Sequence, residues 1–233
     1  MKGEVEVVRS AMILLLVAVL SACSNKPQLH SSLQHHNTGL EEGQLAKYGL
    51  AFITPGTVTG QEEDKQSLAL NFSDVLIKKM PEVHVVTLPE TLGAVNRNGL
   101  TDEYKQMYKN YSNTGIFARE SLRKVGEVAG ARFLIQLNLA DFGRRTEKRW
   151  GFSGIRVLAT KTTHIRLFAQ IWDSYEGVIV WEGGHELSYA YDTVKERPIT
   201  FQAIVEESAK HLIAKMPGQK NKLPGPDVET GKE

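Results

Sequence analysis

The 233 residues carry 28 Lys and Arg against 27 Asp and Glu, a formal charge of +1 that excludes bulk electrostatic attraction to nucleic acid. A single cysteine excludes an intramolecular disulfide framework. The length provides for one domain with a proper core.

Residues 11–22, Ala-Met-Ile-Leu-Leu-Leu-Val-Ala-Val-Leu-Ser-Ala, carry no charge. The run is too short for the roughly 20 residues of a membrane-spanning helix and ends in small residues, as the apolar part of an export signal does. Leu20-Ser21-Ala22-Cys23 then matches a lipobox: a leucine three positions before a thiol that can take a diacylglycerol, with small residues between for the peptidase to approach. Residues 1–22 are therefore expected to be a signal peptide that is removed, and Cys23 the acylated first residue of a periplasmic chain. A diacylglycerol with an amide-linked acyl chain anchors durably, where a single chain does not.

Residues 24–46 are polar and without period, which predicts a flexible tether with a mean span of about 25–30 Å. His30, His35 and His36 fall in it as solvated linker residues rather than metal ligands. Lys47 to Ile53 reads as a first strand, stopped by Thr54-Pro55-Gly56. The Thr54–Gly60 stretch holds two glycines but lacks the Gly-Lys-Ser/Thr ending of a phosphate loop. Glu62 to Met80 places Leu68, Phe72, Val75, Leu76 and Met80 on one helical face. Val83 to Thr87 is a second strand, and Thr87-Leu88-Pro89-Glu90 a capping-box start for a short helix. Residues 101–113 form a surface helix whose Tyr104, Tyr108 and Tyr111 pack on the domain's own flank or, in the alternative reading of a periplasmic small-ligand binder or enzyme, offer a stripe to a sugar or a partner. Ile116 to Ala129 is a further helix, stopped by Gly130.

The period then changes to two. Phe133, Ile135, Leu137 and Leu139 alternate within Arg132–Asp141, and Ile165, Leu167, Ala169 and Ile171 within His164–Asp173. Ser174-Tyr175-Glu176-Gly177 is a tight turn leading into a third long strand, Val178 to Tyr191. Phe201, Ile204, Val205, Ser208, Leu212, Ile213 and Met216 mark a closing helix, and residues 217–233 a disordered tail. The expected fold is an α/β (α+β) domain over 47–216, one mixed sheet in the order β-α-β-α-β-β-β-α with packed helices.

This order behind a lipobox resembles the domain of CsgG-type outer-membrane lipoproteins, a group that includes curli secretion lipoproteins and lipoprotein activators of penicillin-binding proteins. The amino-terminal domain of the Tol–Pal propeller protein is similar in shape. The residues that carry the resemblance are Leu50-Ala51-Phe52-Ile53, the run Val128-Ala129-Gly130-Ala131-Arg132-Phe133-Leu134-Ile135, and the hairpin from Asp173 through Gly177 to Trp181. It implies an outer-membrane lipoprotein working in envelope assembly or secretion, with a homo-oligomer as the form a secretion component would take. By resemblance to enterobacterial sorting, Ser24 in place of Asp favours the outer membrane. Two departures stand out. The segment Phe142 to Thr163 carries Arg144, Arg145, Lys148, Arg149, Arg156 and Lys161 against Glu147 alone, too charged for the lipid face of a transmembrane barrel strand. The tether is also shorter than those that let synthase activators cross the peptidoglycan.

No His-Glu-x-x-His, Cys/His cluster or nucleophile elbow occurs, so neither an enzyme nor a cofactor is expected. His185-Glu186 cannot act as an acid–base pair, because neighbours on a strand point to opposite faces. The remaining candidate is the basic, aromatic segment Arg144–Lys161. Trp and Arg are the side chains most enriched at binding hot spots. Clustered cations can meet anionic lipid headgroups or an acidic protein surface. Arg145, Arg149 and Trp150 are its expected contact residues.

Overall fold

The apolar run Leu50–Ile53 becomes a central strand and the polar run Gln28–Asn37 an edge of one sheet. The structure, a computed structural model, describes residues 28–152, 155–192 and 199–218. Strand β2 (Leu50–Phe52) lies between β4 (Val85–Val86) and β5 (Phe133–Phe152) and runs parallel to both. A strand in that position is buried on both faces, which is why Leu50-Ala51-Phe52-Ile53 shows no polar alternation. β6 (Ile155–Asp173), β7 (Val178–Asp192) and β1 (Gln28–Asn37) follow β5 as an antiparallel series. The sheet order is β1-β7-β6-β5-β2-β4, with the two-residue β3 (Gly56–Thr57) beside β5. This is the mixed sheet with packed helices that the element order predicts.

Helices cover one face fully and the other in part. Besides the short α1 (Gln44–Tyr48) there are α2 (Glu62–Lys79), α3 (Leu88–Arg97), α4 (Thr101–Thr114), α5 (Arg119–Ala129) and α6 (Phe201–Ile213). α2 and α6 bury Leu68, Phe72, Leu76, Val205 and Leu212 against Phe52, Ile135, Leu167, Ala169 and Trp181 of the sheet. α3–α5 bury Val95, Met107, Leu122 and Val125 against Ala51, Ile53, Leu134 and Trp172. On that second face β6, β7 and β1 present Arg166, Phe168, Glu182 and Glu186 to solvent.

The expected start of α3 forms as a cap: the Glu90 carboxylate accepts from the Thr87 N–H at 2.8 Å and from the Thr87 hydroxyl at 2.7 Å. Thr87→Ala is expected to cost about 1 kcal/mol, read from the urea midpoint. α5 begins three residues later than the period suggests, because Phe117 leaves the helix pattern to insert its ring between Tyr111, Tyr108 and Trp172.

Two expectations change. Residues 28–37, read as part of a tether, pair with β7 over ten consecutive residues, Gln28↔Ala190 to Asn37↔Trp181, and residues 44–48 form α1. Strand formation there comes from the backbone ladder that β7 offers rather than from local propensity. The segment 142–163, read as a loop between two strands, is largely a continuation of both. The β5–β6 ladder runs from Phe133↔Asp173 to Phe152↔Ile155, with register slips at Leu139–Asp141, Lys148–Trp150 and Trp150–Gly151. Charges on both sides hid its period, while Thr146, Val157, Thr160, Thr162 and Thr163 supply strand-compatible side chains.

Candidate functional site

The ladder fixes where the two ends of the chain's interesting segments meet. Gln28 of β1 faces Ala190 of β7, which faces Thr162 of β6, which faces Arg145 of β5. The first residue of β1 is therefore level with Arg145. Among the described residues β7 reaches Asp192, opposite Thr160, and beyond that β5 and β6 run on as a two-stranded arm to Phe152 and Ile155. Residues 146–152 carry the arm about 23 Å past that level. At its base Phe142 packs edge-on against Phe201 of α6 at 5.0 Å, and the Arg144 guanidinium lies 5.7 Å from the Phe142 ring. Arg145 is exposed. Arg149 and Trp150 belong to the arm's β5 strand, but their side chains lie outside the described residues, as do Leu20, Ser21, Ala22 and Cys23 and the tail from residue 219.

His185, fully buried, shares hydrogen bonds through Nε2 with Ser31 Oγ at 2.8 Å and through Nδ1 with Ser208 Oγ at 2.7 Å. Its ring stacks on His211 at 4.8 Å, and His211 Nε2 lies 3.4 Å from Glu207. Burial first, and then the charge of His211, push its pKa down to about 4 against an opposing effect of Glu207. A neutral imidazole with no carboxylate on it and a buried serine beside it holds three elements together and has no access to substrate. Glu186 points to the opposite face, as expected, where it meets Arg166 at 2.7 Å.

The tyrosine stripe packs inward. The Tyr104 hydroxyl accepts from the Thr54 N–H at 2.9 Å, and that of Tyr108 donates to the Thr54 carbonyl at 2.7 Å. Burial raises both phenol pKa values, that of Tyr108 well above 10. His30, His35 and His36 are exposed on β1, and among the described residues no group of three His, Cys, Asp or Glu could hold a metal ion. Nor is any helix among them long and apolar enough to cross a membrane.

One feature had no counterpart in the sequence reading. A groove of about 440 Å³ on the uncovered face runs beside Phe168, Gln170, Glu182, Gly184 and Gln34. Phe168 is 42 % exposed there and lies across Gly184, where a Cβ would stand 2.8 Å from its ring. The available signal was an aromatic residue on the polar side of an otherwise alternating strand, between Arg166 and Gln170.

No family model and no curated protein matches the chain. Among solved structures it is similar to PelC from Paraburkholderia phytofirmans, solved as a dodecamer in two crystal forms. One shows 8 % identity and a TM-score of 0.45, covering 82 % of this chain and 100 % of PelC. The other shows 11 % identity and a TM-score of 0.40, covering 82 % and 97 %. Lipoprotein GNA1162 from Neisseria meningitidis shares 12 % identity over 72 % of this chain and 98 % of that one, with a TM-score of 0.44. The likeness concerns the arrangement of sheet and helices alone.

Proposed function

We propose that the protein is a non-enzymatic lipoprotein of the outer membrane's periplasmic face, anchored through acylated Cys23, that serves as a scaffold in envelope assembly or secretion. The observation that carries this reading is the common level of Gln28 and Arg145. Four residues, 24–27, separate the lipobox cysteine from β1 and span at most about 14 Å. The arm leaves the sheet at that same end. Its composition, Trp150 and Phe152 among Arg144, Arg145, Lys148, Arg149, Arg156 and Lys161, is that of segments that settle at a membrane surface: aromatic rings at headgroup depth and cations against anionic lipid. Docked this way, the arm braces the domain on the leaflet that holds its lipid. A tether so short disfavours direct contact with an inner-membrane peptidoglycan synthase and favours partners at the outer membrane.

Trp150 provides the test, because Trp172 and Trp181 are buried. In anionic vesicles containing brominated lipid, the lipidated protein is expected to lose a clear part of its tryptophan emission. Trp150→Phe should abolish that quenching, and Arg145→Glu with Arg149→Glu should reduce it. Unquenched emission with an acylated Cys23 would reject the membrane-facing arm. Specific photo-crosslinks from position 150 to one envelope protein would then make the arm an adaptor tip.

A second reading, an oligomeric secretion component, draws on the face of β6–β7–β1 with its exposed Phe168 and on the outer edge of β1, which is unpaired among the described residues. Light scattering on the detergent-extracted protein decides it: a defined multimer supports self-assembly, and a monomer at all concentrations removes it.

A further inference from the structure

β1 is held by its backbone and hardly at all by its side chains. Among Leu29–Asn37 only Leu33 is even partly buried, and Leu29 is 51 % exposed. The chain enters the core first at Leu40. Asn37 fixes that point, accepting the Leu40 N–H and donating to the Leu40 carbonyl, both at 2.9 Å. Next to it the N–H groups of Thr38 and Gly39 donate to Val180 O at 3.0 and 3.1 Å. Upstream of this hinge lies a ten-residue strand with little apolar burial, the type of segment that opens ahead of global unfolding.

His185 lies under it. The groups facing the ring come from three elements. β1 supplies Leu33 directly opposite His185, with Ser31 and His35 one same-face position to either side of it; α6 supplies Ser208, His211 and Glu207; β6 supplies the apolar Leu167. The carboxylates next to His185 in β7, at Glu182 and Glu186, stand on the other face. With β1 docked, a proton on His185 would be buried beside a second imidazole. With β1 lifted, Nε2 meets water and the proton is accommodated, so acid stabilises the lifted form.

We propose that β1 is a releasable strap, docked over His185 at neutral pH and freed by acid, that sets the distance between the domain and its membrane anchor. The consequence for reach rests on acylation of Cys23; the motion of the strap does not. Docked, four residues span at most about 14 Å. Released to the hinge, residues 24–39 span up to about 55 Å when stretched and about 20–25 Å on average.

Hydrogen exchange of the purified full-length protein tests the strap whatever the state of Cys23. Between pH 7.5 and pH 5 the protection factors of residues 29–37 are expected to fall on the order of tenfold, while those of Phe133–Leu139 hold. His185→Gln keeps a hydrogen-bonding side chain that takes no proton, and should leave β1 equally protected at both pH values. Ser32→Cys with Glu186→Cys joins two residues that face each other across β1 and β7, both exposed. That oxidised variant should also lose the pH effect, with His185 unchanged. Protection of β1 independent of pH in the natural chain, or a pH effect surviving in the stapled one, would overturn the strap. The anchor reading fails separately, by mass spectrometry finding Cys23 without acyl groups.

Discussion

Asp173→Ala is expected to destabilise the domain by about 3 kcal/mol, lowering Tm by about 6–12 °C in a domain of this size. Asp173 ends β6 directly opposite the start of β5, and Arg132 reaches it with Nε at 3.0 and 3.1 Å and Nη2 at 2.6 Å. The same carboxylate accepts the N–H groups of Tyr175 and Glu176 at 3.0 and 3.3 Å, closing the turn that Gly177 completes with φ 71°. Burial by itself would raise its pKa; the Arg132 bond and the two backbone donors more than offset that, and the carboxyl lies below its usual range. Truncation leaves two turn donors unpaired and a guanidinium held between Tyr48, Phe133 and Tyr175 with no anion. The Asp173 side chain is 5 % exposed and that of Arg132 30 %, so the orphaned cation recovers some hydration, which sets the estimate at the low end for a buried pair. Asp173→Asn keeps an acceptor for the turn and loses the ion pair, so its loss in a urea titration should be about half as large. Equal losses for the two variants would mean that the turn bonds contribute little and the ion pair contributes most.

That pair shows what the sequence holds and what it hides. An arginine at the start of one alternating run and an aspartate at the end of the next can be matched once the two runs are known to be antiparallel neighbours, and the Asp-to-Gly turn is readable from residue type alone. The helices were legible for a similar reason, since α2, α5 and α6 each keep an apolar stripe, and Thr87 and Gly130 mark ends by side-chain chemistry. β1 was not, because Gln-Leu-His-Ser-Ser-Leu-Gln-His-His-Asn carries neither an apolar face nor a turn at either end. Its partner lies about 150 residues away: the Ser31–His185 bond spans 154 positions. The arm was half legible. Its charge and aromatic content identified it as a candidate contact segment, but only the ladder from Gln28 to Arg145 puts it at the same end of the sheet as the start of β1.

Acidification from pH 7 to pH 4 should remove about 3 kcal/mol of folding stability from a protein whose strap is stapled shut by the Ser32→Cys and Glu186→Cys disulfide. The sign follows from proton counting. His185 titrates near its ordinary 6.5 in the unfolded chain and at about 4 in the folded one. Between those values the unfolded state binds the extra proton, so stability rises with pH. The contribution is fully present above pH 6.5 and lost as pH falls through 4. Asp173, Glu90 and Glu103, whose carboxyl pKa values are lowered from 3.8, 4.5 and 4.5, begin to give up their stabilisation at the acid end of that window and do so alike in the natural and the stapled protein, so the difference between the two proteins reports His185. In the natural chain the folded state has a second form, with β1 lifted and His185 hydrated, that also takes the proton. Its stability between pH 6.5 and 4 should therefore fall less steeply than that of the stapled protein, although the stapled protein is the more stable at pH 7. Urea titrations at pH 7, 6, 5 and 4 separate the two cases. Parallel losses in both proteins would mean that His185 is released only by global unfolding and that β1 does not move independently.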